Sequence, residues 1–410
     1  MNLTKKRWVT LIACCLINLC LGSIYAWSVF ASSMAEFLSA RNGITLTTGD
    51  LAIVYTVANS VGPITMITGG WFNDKFGPKK VILIGGIMVG IGMIASGFAT
   101  STGFLVVTYG LVFGLGLGMT YGTAVSSCMK FFPDKRGLIG GIITAIYGLG
   151  SVILPPVIMA IVSVSSAAAA FKIIGVVFLL VIGGCSFLME QCPADFVPEG
   201  WTPPASAKKS GIVDKNWKEM LGTPVFYVML LLFTCGAFSG MMVISQASAV
   251  ATNLVGMTAL MASTAVSALA IFNAAGRILA GLLSDRIGRI NTLTIAAMVA
   301  VLGLFLLYLT GESGYLTFYI GIACVGLSFG SFMGVYPGFT ADQFGAKNNS
   351  VNYGIMFIGL AAAGYFGPSA MRNIYSTDGA YARAFLIACA CAAAGFVLTF
   401  VYRMFAKKEK

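Results

Sequence analysis

Apolar residues run through this chain in blocks of about twenty, separated by short stretches rich in glycine, proline, aspartate and lysine. A helix rises about 1.5 Å per residue, so roughly 20 apolar residues cross the hydrocarbon core of a bilayer. Twelve windows meet that requirement: residues 8–30, 51–72, 81–99, 103–129, 137–161, 171–190, 223–247, 257–283, 292–310, 314–340, 350–371 and 379–402. The pattern predicts an all-α membrane protein with twelve transmembrane helices. The first window follows a basic start, as a secretory leader would, but it is too long for a leader's apolar core and is expected to remain as the first span.

One long polar stretch interrupts the pattern, QCPADFVPEGWTPPASAKKSGIVDKNWKEM from Gln191 to Met220. It divides the windows six and six. The expected organisation is an N-terminal half over 1–190, a central cytoplasmic loop over 191–222 and a C-terminal half over 223–410. The same punctuation recurs in both halves. GGWFNDKFGPKK follows the second span and GLLSDRIGRIN the eighth, while FFPDKRGLIGG follows the fourth and QFGAKNNSVNYG the tenth. Asp74 and Asp285 lie 211 residues apart, and Gly141 and Gly354 lie 213 apart. A near-constant offset across two landmarks indicates a structural duplication, the internal symmetry many secondary transporters show. The glycines let helices approach closely. Each aspartate is placed to cap a neighbouring helix and pair with a basic residue across the half, and Asp74, Lys75, Asp285 and Arg286 form a candidate conformational latch.

Composition narrows the class. With 58% hydrophobic and 10% charged residues and a mean hydropathy of +0.90, the chain is not that of a soluble globular protein. The net charge of +11 does not indicate nucleic acid, because it is distributed by side of the membrane. Twenty of the 25 lysines and arginines fall at the two ends and in the even-to-odd connections, against four in the odd-to-even ones: Arg41, Lys172, Arg372 and Arg383. The positive-inside rule places both termini in the cytoplasm, in an inner membrane. The ten cysteines show no metal spacing and read as small apolar packers, and no cofactor is expected. The absence of histidine excludes histidine proton relays and most catalytic triads. Missing metal spacing and a missing soluble catalytic domain argue against a membrane-bound enzyme, and paired half-repeats argue against a static pore.

The one basic residue outside that tally is Arg277, inside the eighth span. It lies eight residues, roughly 12 Å of helix, from Asp285 at the cytoplasmic end, and so near the midplane. A charge there costs about 2.5–3.5 kcal/mol on insertion scales. All fourteen acidic residues lie at helix ends or in loops, so none is placed to neutralise it. A guanidinium does not readily deprotonate. The remaining partners are water, carbonyls, hydroxyls or a mobile anion, and the planar fork suits a carboxylate. Asn273, four residues earlier on the same face, either holds the arginine, donates to the substrate or bridges helices.

Twelve spans, a central loop and the G-x-x-x-D-[KR]-x-G loops after spans 2 and 8 resemble the major facilitator superfamily. Within it, FFPDKRGLIGGIITAIYGLGS, GLGLGMTYGTAVSSC, IFNAAGR and NYGIMF are similar to the monocarboxylate transporter and bacterial oxalate:formate antiporter branch. The resemblance implies that Arg277 is the substrate-carboxylate partner, and that Tyr25, Tyr121, Tyr147, Phe332 and Phe357 line the substrate cavity. Two departures matter. Animal proton-coupled members often carry a carboxylate just before a Gly…Trp motif in the first span, where this chain has Leu21 before GSIYAW. Oxalate transporters carry a lysine in span 11, where this chain has Leu360. Residues 147 and 360 differ by the duplication offset of 213, so Leu360 is expected beside the substrate as an apolar wall. One fixed positive charge suits one negative charge on the cargo.

The sequence therefore predicts a secondary active transporter of small monocarboxylates, of the lactate, pyruvate or formate class, working by alternating access as a monomer. A proton (symport) or a counter-transported anion (antiport) is the expected coupled partner, membrane lipid the surroundings, and nucleic acid no partner. The competing reading is an oxalate/formate-type antiporter.

Overall fold

The computed structural model describes residues 3–193, 196–202 and 214–408, and among them every regular element is a helix. Twelve long helices are present: α1 (Leu3–Asn42), α2 (Ala52–Phe76), α3 (Pro78–Ser96), α4 (Thr102–Lys130), α5 (Arg136–Val164), α6 (Ala167–Ser186), α7 (Pro224–Asn253), α8 (Ala259–Ile287), α9 (Arg289–Leu309), α10 (Tyr315–Phe344), α11 (Asn349–Asp378) and α12 (Ala382–Lys408). One further turn, Trp217–Leu221, closes the central loop with Asn216 and Glu219 as a capping box. Much of that loop, with Lys208 and Lys209, lies outside the described residues.

Eleven of the twelve are long and apolar enough to cross a membrane. The exception is α2, whose Tyr55, Thr56, Asn59, Ser60 and Thr68 lower its hydropathy. The largest boundary difference is in α1, expected to end at residue 30 and observed to run to Asn42, where Gly43 turns left-handed at φ +64°. Glu36 and Arg41 lower the hydropathy there without breaking the helix. The duplication reaches the backbone itself. Gly77, between α2 and α3, and Gly288, between α8 and α9, lie 211 residues apart and take φ +83° and +91°, a region where a side chain would be strained.

Three helices depart from regular winding. A 3₁₀ stretch, Gly22–Ala26, interrupts α1; a π-type stretch, Val106–Phe113, widens α4; and Phe357 breaks α11 into Asn349–Met356 and Ile358–Asp378. Helix α5 carries Pro155 and Pro156 yet runs unbroken.

The chain divides into two compact units that do not follow the sequence halves. The first comprises Met1–Asp134, Ile146–Thr202 and Ala346–Ile355; the second comprises Lys135–Ala145, Pro203–Gly345 and Met356–Lys410. Each unit thus includes the beginning of one helix from the other half, and the two exchanged segments start 211 residues apart. In lipid, helices gain little from mutual apolar burial and associate through close packing at small residues. In the first unit, Gly118 of α4 presses on Gly62 of α2, and Gly90 of α3 on Leu179 of α6. Phe30 stacks on Phe171 at 4.1 Å. In the second unit, Gly326, Gly330 and Gly334 of α10 lie against the backbone of Leu269, Asn273 and Arg277 of α8. Phe233 stacks on Tyr336 at 4.0 Å, and Met242, Leu304, Phe318 and Phe385 form part of the apolar core.

Candidate functional site

Arg277 is 2% exposed. Its backbone is enclosed on one side by Gly330 and Gly334 of α10 and on the other by Gly141 of α5, whose segment Lys135–Ala145 belongs to the same unit. The guanidinium has two polar partners. Nε donates to Asn273 Oδ1 at 3.0 Å, and Nη1 donates to the main-chain carbonyl of Thr144. Neither is charged, and among the described residues no carboxylate pairs with it. Asn273 thus accepts from the arginine of its own helix, a contact that i, i+4 spacing on one face permits.

The two aspartates occupy corresponding positions in their own units. In the second unit, Asp285 accepts from the Gly137 and Leu138 amides at 2.9 and 2.8 Å, capping the start of α5. It also pairs with Arg289 at 2.7 Å. Asp342 joins Arg289 and Arg136, each at 2.8 Å. In the first unit, Asp74 accepts from Ser350 Oγ at 2.8 Å and the Val351 amide at 3.4 Å, capping the start of α11. Lys130 binds Asp74 at 2.9 Å and the Lys347 carbonyl at 3.0 Å, while Asn73 donates to Ser350 Oγ at 2.7 Å.

The charge partners of the aspartates are Lys130 and Arg289, not the adjacent basic residues. Lys75 lies over the Trp71 and Phe76 rings, and Arg286 is exposed. A residue next to an aspartate on a helix is rotated roughly 100° away from it. Lys130, Arg289, Arg136, Asp342, Asn73 and Ser350 were missed by the sequence reading. Only Arg289 had a local signal, its i+4 spacing from Asp285.

Tyr25, Tyr121 and Tyr147 come together in the first unit. The Tyr147 ring meets Tyr25 edge-on at 5.4 Å and Tyr121 at 4.9 Å. Tyr25 stands in the 3₁₀ stretch of α1, where Gly22 packs against Gly150 and the Tyr147 carbonyl of α5 with no room for a side chain. The other candidates belong to the second unit. Phe332 is 1% exposed, covered by Gly236 of α7, and stacks on Tyr336 at 6.2 Å. Phe357 stands at the α11 break, and Leu360, one turn further, is buried.

Asp285→Asn tests the capping geometry. An amide offers one acceptor oxygen where the carboxylate offers two, and it leaves Arg289 without its charge partner on α8. Such a loss is worth about 1–2 kcal/mol. Transport rate is expected to fall about tenfold while equilibrium substrate affinity stays within about twofold; initial rates in proteoliposomes and binding to the purified variant measure the two separately.

Comparison with known proteins gives a consistent result. The family model for the Major Facilitator Superfamily matches residues 16–368. An oxalate:formate antiporter of Oxalobacter formigenes is 29% identical, covering 98% of this chain and 92% of that protein. The uncharacterized MFS-type transporter YhjX of Escherichia coli (strain K12) is 29% identical, covering 88% and 86%. Monocarboxylate transporter 12 of Homo sapiens is 24% identical, covering 93% and 77%. Among solved structures, a double-tryptophan mutant of XylE superposes with a TM-score of 0.76 at 15% identity, covering 97% of this chain and 95% of that one. FucP in the outward conformation gives 0.67 at 16% identity, covering 94% and 98%. At these identities the likeness to solved structures is one of fold.

Proposed function

The chain belongs to the major facilitator superfamily, and from that premise we propose that it is a secondary active transporter of small monocarboxylates, of the lactate, pyruvate or formate class, with Arg277 as the carboxylate ligand. It is a multi-pass membrane protein and a transporter rather than an enzyme. The observation that carries the substrate class is the state of Arg277: a guanidinium 2% exposed whose partners, Asn273 and the Thr144 carbonyl, are both neutral. A buried cation with neutral partners favours an anion that supplies the missing charge, and two parallel bonds suit a carboxylate.

The tyrosine cluster supports the same reading. Tyr25, Tyr121 and Tyr147 offer apolar faces with single hydroxyls, the chemistry a small organic acid needs. In this reading the carrier acts as a monomer in the cytoplasmic membrane with both termini in the cytoplasm. The aspartate caps hold one conformation of the alternating-access cycle.

A second reading, oxalate/formate-type exchange, is favoured by the 29% identity to the oxalate:formate antiporter over 98% of this chain. Leu360 separates the two. With leucine there, one fixed cation selects one negative charge, and labelled lactate or formate uptake should be competed by monocarboxylates and poorly by oxalate. Leu360→Lys should weaken monocarboxylate uptake and raise the relative potency of oxalate. At about 6–8 Å and an effective dielectric near 20, each added charge pair is worth roughly 2–3 kcal/mol. Strong oxalate competition in the wild type would move the second reading ahead, and an unchanged variant would remove Leu360 from the substrate's surroundings.

A further inference from the structure

The exchanged segment of α5 is fastened to α8 at two points. At its start, Asp285 caps the Gly137 and Leu138 amides. Seven residues on, the Thr144 carbonyl receives Arg277. The fasteners on α8 are eight residues apart, about 12 Å, and those on α5 seven, about 10.5 Å, so they match along two packed helices. Between them Gly137 and Gly141 meet Gly281 and the Arg277 backbone with no room for a side chain. The Thr144 hydroxyl takes no part, because it donates back to Gly140 and Gly141 of its own turn. The ligand is the main-chain oxygen, whose second lone pair remains open after its helix bond.

We infer that the Thr144 carbonyl is the resting ligand of Arg277 and that an incoming carboxylate displaces it, so that cargo binding itself unfastens the start of α5 from α8. This rests on the reading of Arg277 as the carboxylate partner. The two fasteners differ in kind. Asp285 is held by fixed protein groups, whereas Arg277 holds a neutral acceptor that a charged, bidentate one outcompetes. In the empty carrier, release of the segment would leave a buried guanidinium with Asn273 as its one remaining partner, which is costly. In the loaded carrier the carboxylate takes the carbonyl's place, and release proceeds. Exchange of cargo is therefore faster than net movement.

Amide hydrogen exchange of the intact protein in nanodiscs tests this, read over residues 137–145 with α12 as an internal control. Without any anion, Arg277→Gln should exchange at least about fivefold faster than wild type over that segment and equally over α12. An unchanged segment overturns the fastening, whatever the cargo; faster exchange in α12 as well marks a folding defect, and Arg277→Lys, which keeps the charge but loses the fork, then takes the variant's place with the same expectation. Lactate, pyruvate or formate added singly to wild type should speed exchange over 137–145. An acid that binds by calorimetry and leaves the segment unchanged overturns the displacement. If no acid binds while the anion-free comparison behaves as expected, the carboxylate reading fails and the fastening stands. In liposomes, net efflux as fast as exchange also overturns the displacement.

Discussion

Arg277→Gln is expected to abolish carboxylate uptake while the protein still inserts and folds. Glutamine keeps the side chain polar and can still meet Asn273, but it removes the charge buried inside α8. Truncating one partner of a desolvated charge pair typically costs about 2–5 kcal/mol, a loss of thirtyfold or more in affinity. Arg277→Lys should recover little, since a point charge cannot make two parallel bonds and cannot serve Asn273 and a carboxylate in the same geometry. Uptake of labelled lactate or formate into proteoliposomes, normalised to correctly inserted protein, gives the readout. Wild-type uptake by the glutamine variant would remove Arg277 from the substrate site.

The second large effect is expected at Gly141, which touches no substrate in the proposed site. A Cβ there would lie 3.0 Å from the Arg277 carbonyl carbon and 3.2 Å from Ile278 Cα, both backbone atoms that cannot swing aside. Gly141→Leu should therefore prevent the segment Lys135–Ala145 from docking on α8. Overpacking of this kind costs about 1–3 kcal/mol, enough to shift a balanced two-state equilibrium about fivefold or more. Turnover is expected to fall by at least that factor while a carboxylate still binds. Initial rates and binding to the purified variant check the two. Normal turnover would show that docking of this segment is not a step of the cycle.

The spans were legible because bilayer thickness imposes one length on all of them, and the two aspartates because their loops repeat at a fixed offset. The partners of those aspartates were not. Lys130, Arg289, Asp342 and Ser350 reach the caps from elements distant in sequence or from the following helix, and the adjacent Lys75 and Arg286, which the sequence suggested, are rotated away from them. Asn273 was legible as a neighbour of Arg277 from helical spacing alone. The Thr144 carbonyl was not, since every residue carries the same main-chain oxygen and no side chain marks the one a guanidinium will choose. Nor could duplication reveal the exchanged segments: it says that two stretches are alike, not which unit each will join.

The exchanged segments differ in how each is joined to the rest of its own helix. Helix α5 is continuous from Arg136 to Val164, so the part fastened to α8 and the turn bearing Tyr147 form one stiff rod. Helix α11 is interrupted at Phe357, two residues after its exchanged segment ends. The start of α5 therefore continues into the turn bearing Tyr147 without a change of winding, whereas the start of α11 meets an irregular turn at Phe357 before Leu360. The two ends of the duplication, alike in their caps, are thus unlike in winding: one runs on as regular helix and the other does not.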